Sequence, residues 1–291
     1  MQAQLSNANF SPDAQNESGS KRSGAKTTSR FQRSRLRRGG VFLMAAAFSW
    51  AVFADGAPFD RTELSAAEPD WSTYDAILKK NVARRTVAGV KGNFVNYAGI
   101  KADARWPGVV RMVANYNAAK LSTRNEKLAF YINAYNVLVI DLIVRNHPVA
   151  DINKLGSDAS PIWKRSVGKV AGRSMSLDGL ENGIVRPFGD ARIHFALNCG
   201  ALSCPDLRRE AYTAAKLRKQ LAEQAWAFTH NASKGIRVDD ATKTVHLSKI
   251  FEWFEKDFKD AETYVRRYRK KIPAGYAFKT DIEYNWRLNG R

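Results

Sequence analysis

Two cysteines five residues apart are the strongest chemical signal in the sequence, and the chain has no others. They lie in the segment His-Phe-Ala-Leu-Asn-Cys-Gly-Ala-Leu-Ser-Cys-Pro, which runs from His194 to Pro205. Three states of Cys199 and Cys204 remain open: a disulfide, a nucleophilic thiolate, or two buried and inert thiols. A disulfide fits an exported chain, and Gly200 permits the tight return that it needs.

The thiolate interpretation depends on the elements that hold the two sulfurs. Residues 192–198 have the pattern of a short apolar strand, which Cys199 would follow. Cys204 and Pro205 have the chemistry of a helix start, where the helix dipole and the free N–H groups lower the pKa of a thiol. In this interpretation we take Cys199 as the nucleophile, with Cys204 as the second candidate.

A nucleophilic thiol needs a base, and His194 is the nearest histidine in sequence. On a regular strand His194 and Cys199 point to opposite faces, with their Cα atoms about 16 Å apart. Pairing then requires a bend, or a loop that folds Cys204 back. His246 is the reserve base, and Glu181 would orient the histidine. The alternative is that the histidine is a hydrogen-bonded structural residue and that Glu181 is only a carboxylate at a helix start, where the helix dipole stabilises its charge.

Two amides interrupt the strongest predicted helix, which runs from Thr123 to Asn146 behind a capping box and is apolar on almost every face. Asn133 and Asn136 are three residues apart and share one face of it. A buried amide must be hydrogen-bonded, so these side chains either tie down a neighbouring loop or orient a substrate amide or a catalytic group.

The remaining pattern predicts short elements that alternate along the chain. Helices are expected over 70–88, 106–120, 177–186 and 213–231 and after Ser248; extended pieces are expected over 94–97, 163–176, 236–239, 244–247 and 276–286. The sequence lacks βαβ alternation, G-x-G-x-x-G and a P-loop, which argues against a nucleotide-binding Rossmann fold. We expect a helix-rich α+β single domain over 70–291, with short antiparallel strands in hairpins.

The first 54 residues have the composition of a leader. Residues 1–29 are polar and predicted to be disordered, 30–38 form a basic cluster, and an apolar run extends from Val41 to Ala54. That run spans about 21 Å as a helix, which is short for a bilayer core of about 30 Å. It predicts a signal peptide at about 30–54, a linker over 55–69, and a periplasmic or secreted protein. An uncleaved segment would instead be a membrane anchor.

The net charge is +19, and +13 of it lies beyond the leader. A basic body suits an anionic partner, although a solvated basic surface is the simpler interpretation. We expect a small-molecule or peptide substrate, no specific nucleic acid, and membrane contact only through the signal segment. The four histidines and two cysteines show no metal spacing, so neither a metal nor a cofactor is expected.

Five ordered motifs resemble the "domain of unknown function 547" family of bacterial exported proteins and plant proteins. The motifs are Phe-Tyr-Ile-Asn-Ala-Tyr-Asn (130–136), Ser-Leu-Asp-Gly-Leu-Glu-Asn-Gly-Ile-Val-Arg (176–186), the cysteine segment (192–205), Leu-Ser-Lys-Ile-Phe-Glu-Trp-Phe (247–254) and Tyr-Asn-Trp-Arg-Leu-Asn (284–289). The resemblance extends from about residue 70 to residue 289.

The resemblance implies that Cys199 is the more typical cysteine, since plant relatives tend to carry Ser at position 204. It also implies roles for Asn133, Asn136, Glu181 and Arg186, which match motif positions. Many relatives have His where this chain has Asn182, so a base supplied by that His would be missing here.

Two hypotheses follow. The first is an exported cysteine-dependent hydrolase or acyl transferase on an amide or thioester, papain-like by analogy. In it Cys199 attacks, His194 is the base, Glu181 orients it, and Asn133, Asn136 and Arg186 bind substrate. The second is a non-catalytic binding or scaffold domain in which Cys199 and Cys204 form a structural disulfide.

Overall fold

The computed structural model describes residues 67–291, which form one compact unit. The predicted leader and most of the predicted linker lie outside the described residues. In the first half the elements are α1 (Ser72–Asn81), β1 (Val82–Val87), β2 (Val90–Val95), α2 (Tyr97–Lys101), α3 (Trp106–Asn115) and α4 (Arg124–Asn146), with short 3-10 turns at Ala118–Lys120, Ile152–Leu155 and Ile162–Lys164.

The second half carries the predicted catalytic residues. Its elements are β3 (Ser166–Val170), β4 (Arg173–Ser176), α5 (Leu177–Leu180), a π-helical turn (Glu181–Val185), 3-10 turns at Arg186–Phe188 and Ala191–Phe195, α6 (Leu217–Thr229), β5 (Ile236–Asp239), β6 (Thr244–Ser248), α7 (Ile250–Trp253), α8 (Glu255–Phe258), α9 (Ala261–Tyr268) and β7 (Ala277–Ile282). Helices predominate and the strands pair as short hairpins, which confirms the predicted α+β class.

Helix α4 is the centre of the larger hydrophobic core. Its capping box is present: the Thr123 hydroxyl accepts from the N–H of Glu126 at 3.2 Å, and the Glu126 carboxylate accepts from the N–H of Thr123 at 2.8 Å. Almost every side chain from Leu128 to Val144 is buried. The helix is long and apolar enough to cross a membrane, but 83% of its most apolar stretch is covered by the protein. Its composition therefore reflects a core helix surrounded on all sides.

A smaller hydrophobic core is built around Phe195. It joins α6 to the three-stranded C-terminal sheet, where β5 and β6 form the predicted antiparallel hairpin. Strand β7 pairs with β6 in parallel, an exception to the predicted antiparallel pairing. This sheet and the segment after it bring the chain end back over the cysteine loop, since Leu202 donates to the carbonyl of Arg287 at 2.8 Å.

Three predicted elements are wrong. The helix expected over 70–88 ends at Asn81 because the β-branched residues beyond it pair with β2 around a turn at Ala88 and Gly89. Residues 192–198 begin as a 3-10 turn, not a strand, because the Asp190 side chain accepts from the N–H of Arg192 and so caps a helical turn. Residues 203–206 form a loop, so Cys204 does not begin a helix.

Candidate functional site

A pocket of about 60 Å³ lies beneath the C-terminal segment, and Glu181, His194, Cys199 and Cys204 all line it. His194 lies in the 3-10 turn at Ala191–Phe195 and not on a regular strand. A helical turn advances less per residue than a strand, so the separation estimated for a strand does not apply to this segment. The structure thus brings together the four residues that the sequence analysis proposed as catalytic.

Cys199 and Cys204 form a disulfide, with sulfur atoms 2.16 Å apart and Cα atoms 6.1 Å apart. Of the three states left open by the sequence, this is the one that the structure contains. Cys204 is buried, whereas Cys199 is half-buried and faces the pocket. The sulfur of Cys204 accepts a hydrogen bond from the N–H of Cys199 at 2.8 Å, and the sulfur of Cys199 lies 3.3 Å from the hydroxyl of Tyr284.

His194 is held firmly from two sides. Its side chain is only 1% exposed, its ring stacks on Phe254 at a centroid distance of 3.8 Å, and its Nε2 lies 2.6 Å from the carboxylate of Asp257. Burial lowers the pKa of His194 and outweighs the hydrogen bond and charge of Asp257, which raise it. The imidazole is therefore neutral at neutral pH.

Asp257 fixes the tautomer of that imidazole. Although burial raises its pKa, the hydrogen bonds from His194 and Arg186 hold the pKa of Asp257 well below its usual range. Arg186 contributes two of them, from Nε at 2.7 Å and from Nη2 at 2.9 Å. An ionised carboxylate only accepts hydrogen bonds, so Nε2 of His194 must donate and Nδ1 must carry the lone pair.

The lone-pair nitrogen of His194 is the unusual atom of the site. Within residues 67–291 it is buried and has no hydrogen-bond partner, and the nearest carboxylate oxygen, on Glu181, is 4.0 Å away. Buried polar atoms are normally paired, and an exception calls for an explanation such as a catalytic role. A basic nitrogen oriented by a carboxylate and left unoccupied is the arrangement required of a general base.

Glu181 is a second titratable group at this position. Burial raises its pKa to about 7, against a hydrogen bond from Tyr135 and the charge of Arg186, which both lower it. It stands on the first residue of the π-helical turn, a conformation found frequently at functional sites. At neutral pH this carboxyl therefore takes up or releases a proton readily.

The predicted substrate-binding residues contact protein groups. Asn133 donates to the carbonyl of Tyr212 at 2.8 Å and accepts from its N–H at 2.9 Å. Asn136 donates to the carbonyl of Ala196 at 3.1 Å and accepts from the N–H of Asn198 at 2.9 Å. These contacts match the loop-tethering alternative. Arg186, as described above, is engaged by Asp257.

Asn182, where many relatives have His, also belongs to this polar network. Its amide donates to the carboxylate of Asp178 at 2.8 Å and accepts from Arg186 at 2.7 Å. The reserve base His246 lies elsewhere, on β6, with Nδ1 2.8 Å from the carboxylate of Asp281. Within the described part of the chain no three His, Cys, Asp or Glu side chains converge as a metal site would require.

Three residues of the site were not predicted from the sequence: Tyr135, Asp257 and Tyr284. Two of them lay inside motifs already recognised, since Tyr135 is in the helix motif and Tyr284 opens the last one. Asp257 stands three residues beyond the end of the 247–254 motif. Only the tertiary fold shows that it faces His194, 63 residues away in sequence.

Residues 118–229 match the family model described as "Protein of unknown function, DUF547", which confirms the resemblance seen in the motifs. The matched range contains Glu181, His194 and both cysteines and ends before Asp257. No curated protein and no solved structure matches the chain.

Proposed function

For this chain, whose residues 118–229 match the DUF547 family model, we propose a cysteine-dependent hydrolase or acyl transferase that is activated by reduction. Its substrate is an amide or a thioester, and Cys199 is its nucleophile. One observation carries the proposal: His194, whose buried Nδ1 has no partner among the described residues, lines the same pocket as Cys199.

Activation requires a thiol reductant, because Cys199 is held in a disulfide. A reductant thiolate attacks the more accessible sulfur, that of Cys199, and Cys204 leaves as a thiolate. The N–H of Cys199, 2.8 Å from the sulfur of Cys204, stabilises that negative charge. The first attack joins Cys199 and the reductant in a mixed disulfide. A second reductant thiolate then attacks the reductant sulfur of that mixed disulfide, so that the two reductants form a disulfide and Cys199 leaves as a thiolate.

Catalysis then follows from the orientation of His194. Nδ1 takes the proton of the Cys199 thiol, the thiolate attacks the substrate carbonyl, and the imidazolium returns the proton to the leaving amine or thiol. The resulting acyl-enzyme is resolved by water or by another acceptor. Asp257 and Arg186 hold the imidazole ring in place, and Glu181 stabilises the imidazolium when Glu181 is ionised. The Tyr284 hydroxyl, 3.3 Å from the sulfur of Cys199, donates to the negative charge that develops on that sulfur.

The test is the rate at which iodoacetamide alkylates the protein after reduction by a phosphine, followed by intact mass and peptide mapping. We expect one fast adduct, on Cys199, formed well below neutral pH and faster than with free glutathione. His194→Gln should slow it about 10²-fold, the size of a general-base contribution. His246→Gln is the matched control, since that histidine also bonds to an aspartate but lies outside the pocket. Equal rates in all three proteins contradict the proposal.

The alternative function, a binding or scaffold domain with a structural disulfide, is favoured by a different contact. The buried ammonium of Lys234 donates to the carbonyl of Cys204 at 2.6 Å and so fixes the position of the Cys204 end of the cysteine loop. Equilibration with glutathione redox buffers separates the two functions. A disulfide that resists reduction until the protein unfolds supports the scaffold; reduction of the folded protein supports the enzyme.

A further inference from the structure

Four aromatic side chains form a continuous surface at the pocket, which we call the aromatic wall: Trp163, Trp253, Tyr284 and Trp286. Ring centroids are 4.6 Å apart for Tyr284 and Trp286, 4.8 Å for Trp253 and Tyr284, 5.8 Å for Trp253 and Trp286, and 6.2 Å for Trp163 and Trp286. All four line the same pocket as Cys199, and all four are half-buried. Large aromatic faces therefore border the reacting sulfur.

The wall is assembled from three distant parts of the chain. Trp163 lies in the 3-10 turn at Ile162–Lys164, Trp253 ends α7, and the other two follow β7. The indole N–H of Trp163 donates to the side chain of Asn153 at 2.9 Å, which fixes the orientation of that ring. Rings held in this way lose little entropy when a ligand stacks on them.

The charges around the pocket are paired with one another. Arg186 and Asp257 form a bidentate pair, neutral His194 donates to the same Asp257, and burial favours the uncharged form of Glu181 up to about pH 7. Asp178 faces the amide of Asn182. None of the described residues that line the pocket is Lys or Arg. A negatively charged ligand group would thus lose its hydration without gaining an unpaired counter-charge.

We propose that the aromatic wall binds an uncharged, flat, apolar group of the substrate, such as an aromatic ring, next to the carbonyl that Cys199 attacks. The inference rests on the proposed function and specifies its substrate class. Stacking on aromatic rings supplies the attraction, and the lack of Lys or Arg among the described lining residues selects against carboxylate and phosphate groups. The lysines and arginines that give the described residues their excess positive charge do not line this pocket, so they do not bind the substrate here.

A series of alkylating agents with one warhead tests this inference. Reduced protein is treated with iodoacetamides whose nitrogen carries an ethyl, benzyl, carboxymethyl or trimethylammonioethyl group. Each rate of Cys199 modification is divided by the rate with 2-mercaptoethanol, an uncharged thiol, so that the intrinsic reactivity of each reagent is removed. We expect the benzyl reagent to react about tenfold faster than the ethyl reagent, consistent with one or two ring contacts. The carboxymethyl reagent should be slower than the ethyl reagent, and the trimethylammonioethyl reagent should be slower than the benzyl reagent.

Variants of the wall provide the control. Trp286→Ala and, independently, Trp253→Ala should reduce the benzyl preference to near unity, whereas Trp226→Ala should keep it. Trp226 is 58% exposed and lines a different pocket. A ratio near one in the parent protein, or a faster charged reagent, overturns the inference while leaving Cys199 reactive. A Cys199 that reacts no faster than glutathione with the ethyl reagent instead contradicts the proposed function.

Discussion

Two buried pairs of a nitrogen base and a carboxylate lie next to the cysteine loop, and they differ in how completely their polar atoms are bonded. Lys234 donates to Asp206 and to the carbonyl of Cys204, both at 2.6 Å, and Asp206 also accepts from the N–H of Asn93 at 3.1 Å. His194 bonds to Asp257 at the same distance but leaves Nδ1 without a partner in the described chain.

The difference separates a structural pair from one available for chemistry. Burial lowers the pKa of Lys234, while Asp206 opposes the shift and the Cys204 carbonyl takes a further N–H. Such a pair fixes the position of a loop, and removing one partner strands the other. In the His194 pair Nδ1 has no partner among the described residues, and His194 lines a pocket together with Cys199 and Glu181. The hydrogen-bonding capacity of that nitrogen therefore remains available for chemistry.

The largest effect on stability is expected from breaking the satisfied pair. Lys234→Met leaves Asp206 with the exposed Arg84, 3.4 Å away, as its remaining counter-charge and should lower the free energy of unfolding by about 3 kcal/mol. Urea unfolding of the oxidised protein measures this loss. Lys219→Met removes an exposed lysine, 3.9 Å from Glu223, and should cost less than about 1 kcal/mol. Similar losses of unfolding free energy in both variants would show that the buried pair contributes no more to stability than the exposed one.

The tautomer of His194 gives the next prediction. In Asp257→Asn the amide can donate to Nε2, which places the ring proton on Nδ1 and removes the lone pair that the proposed mechanism uses. The alkylation rate of reduced Cys199 should fall about 10²-fold, which corresponds to about 2.7 kcal/mol. Asp281→Asn, at the exposed His246 pair, should leave the rate unchanged. An unaltered rate in Asp257→Asn would show that Asp257 does not direct the base.

The pH dependence of stability isolates Glu181. Its pKa is raised from 4.5 to about 7 in the folded protein, so its contribution to stability is complete below pH 4.5 and is lost as the pH rises through about 7. His194 acts in the opposite direction, because a lowered pKa means that stability is lost as the pH falls below 6.5. Glu181→Gln retains the His194 effect and therefore serves as the reference.

Between pH 4.5 and about 7 the parent protein should lose on the order of 3 kcal/mol relative to Glu181→Gln. Parallel curves of unfolding free energy against pH would show that Glu181 is ionised normally. Chemical denaturation at matched ionic strength is the appropriate measurement.

The smallest effect concerns the packing behind the satisfied pair. A Cβ at Gly92 would lie 2.5 Å from the Asp206 carboxylate and 2.8 Å from the Lys234 ammonium. Gly92→Ala should therefore destabilise the protein by about 1–2 kcal/mol. Gly108→Ala is the control, because nothing lies within 4 Å of its Cβ and alanine favours helix α3 by about 0.5–1 kcal/mol. In thermal unfolding we expect a lower melting temperature for Gly92→Ala and a higher one for Gly108→Ala. A shift in the same direction for both variants would contradict the packing argument.

Local signals explain what the sequence predicted. The capping box at Thr123 and Glu126 and the extended segment over 163–176, which contains β3 and β4, depend on neighbouring residues, and the structure contains both. The segment after Asp190 was misassigned because a 3-10 turn also buries Ile193 and Phe195, so apolar spacing alone does not distinguish it from a strand. Asp257 reaches His194 through tertiary packing, which no local pattern encodes. The export signal and the anionic partner remain predictions from sequence.

The most direct test of the central claim is the pKa of the Cys199 thiol in a Cys204→Ser protein, obtained from the alkylation rate between about pH 4 and 10. If the free nitrogen of His194 acts on this sulfur, the pKa lies well below the ordinary value of about 8.5 and returns toward it when His194→Gln is added. A pKa at or above about 8.5 that is insensitive to His194 would show that the two groups do not cooperate.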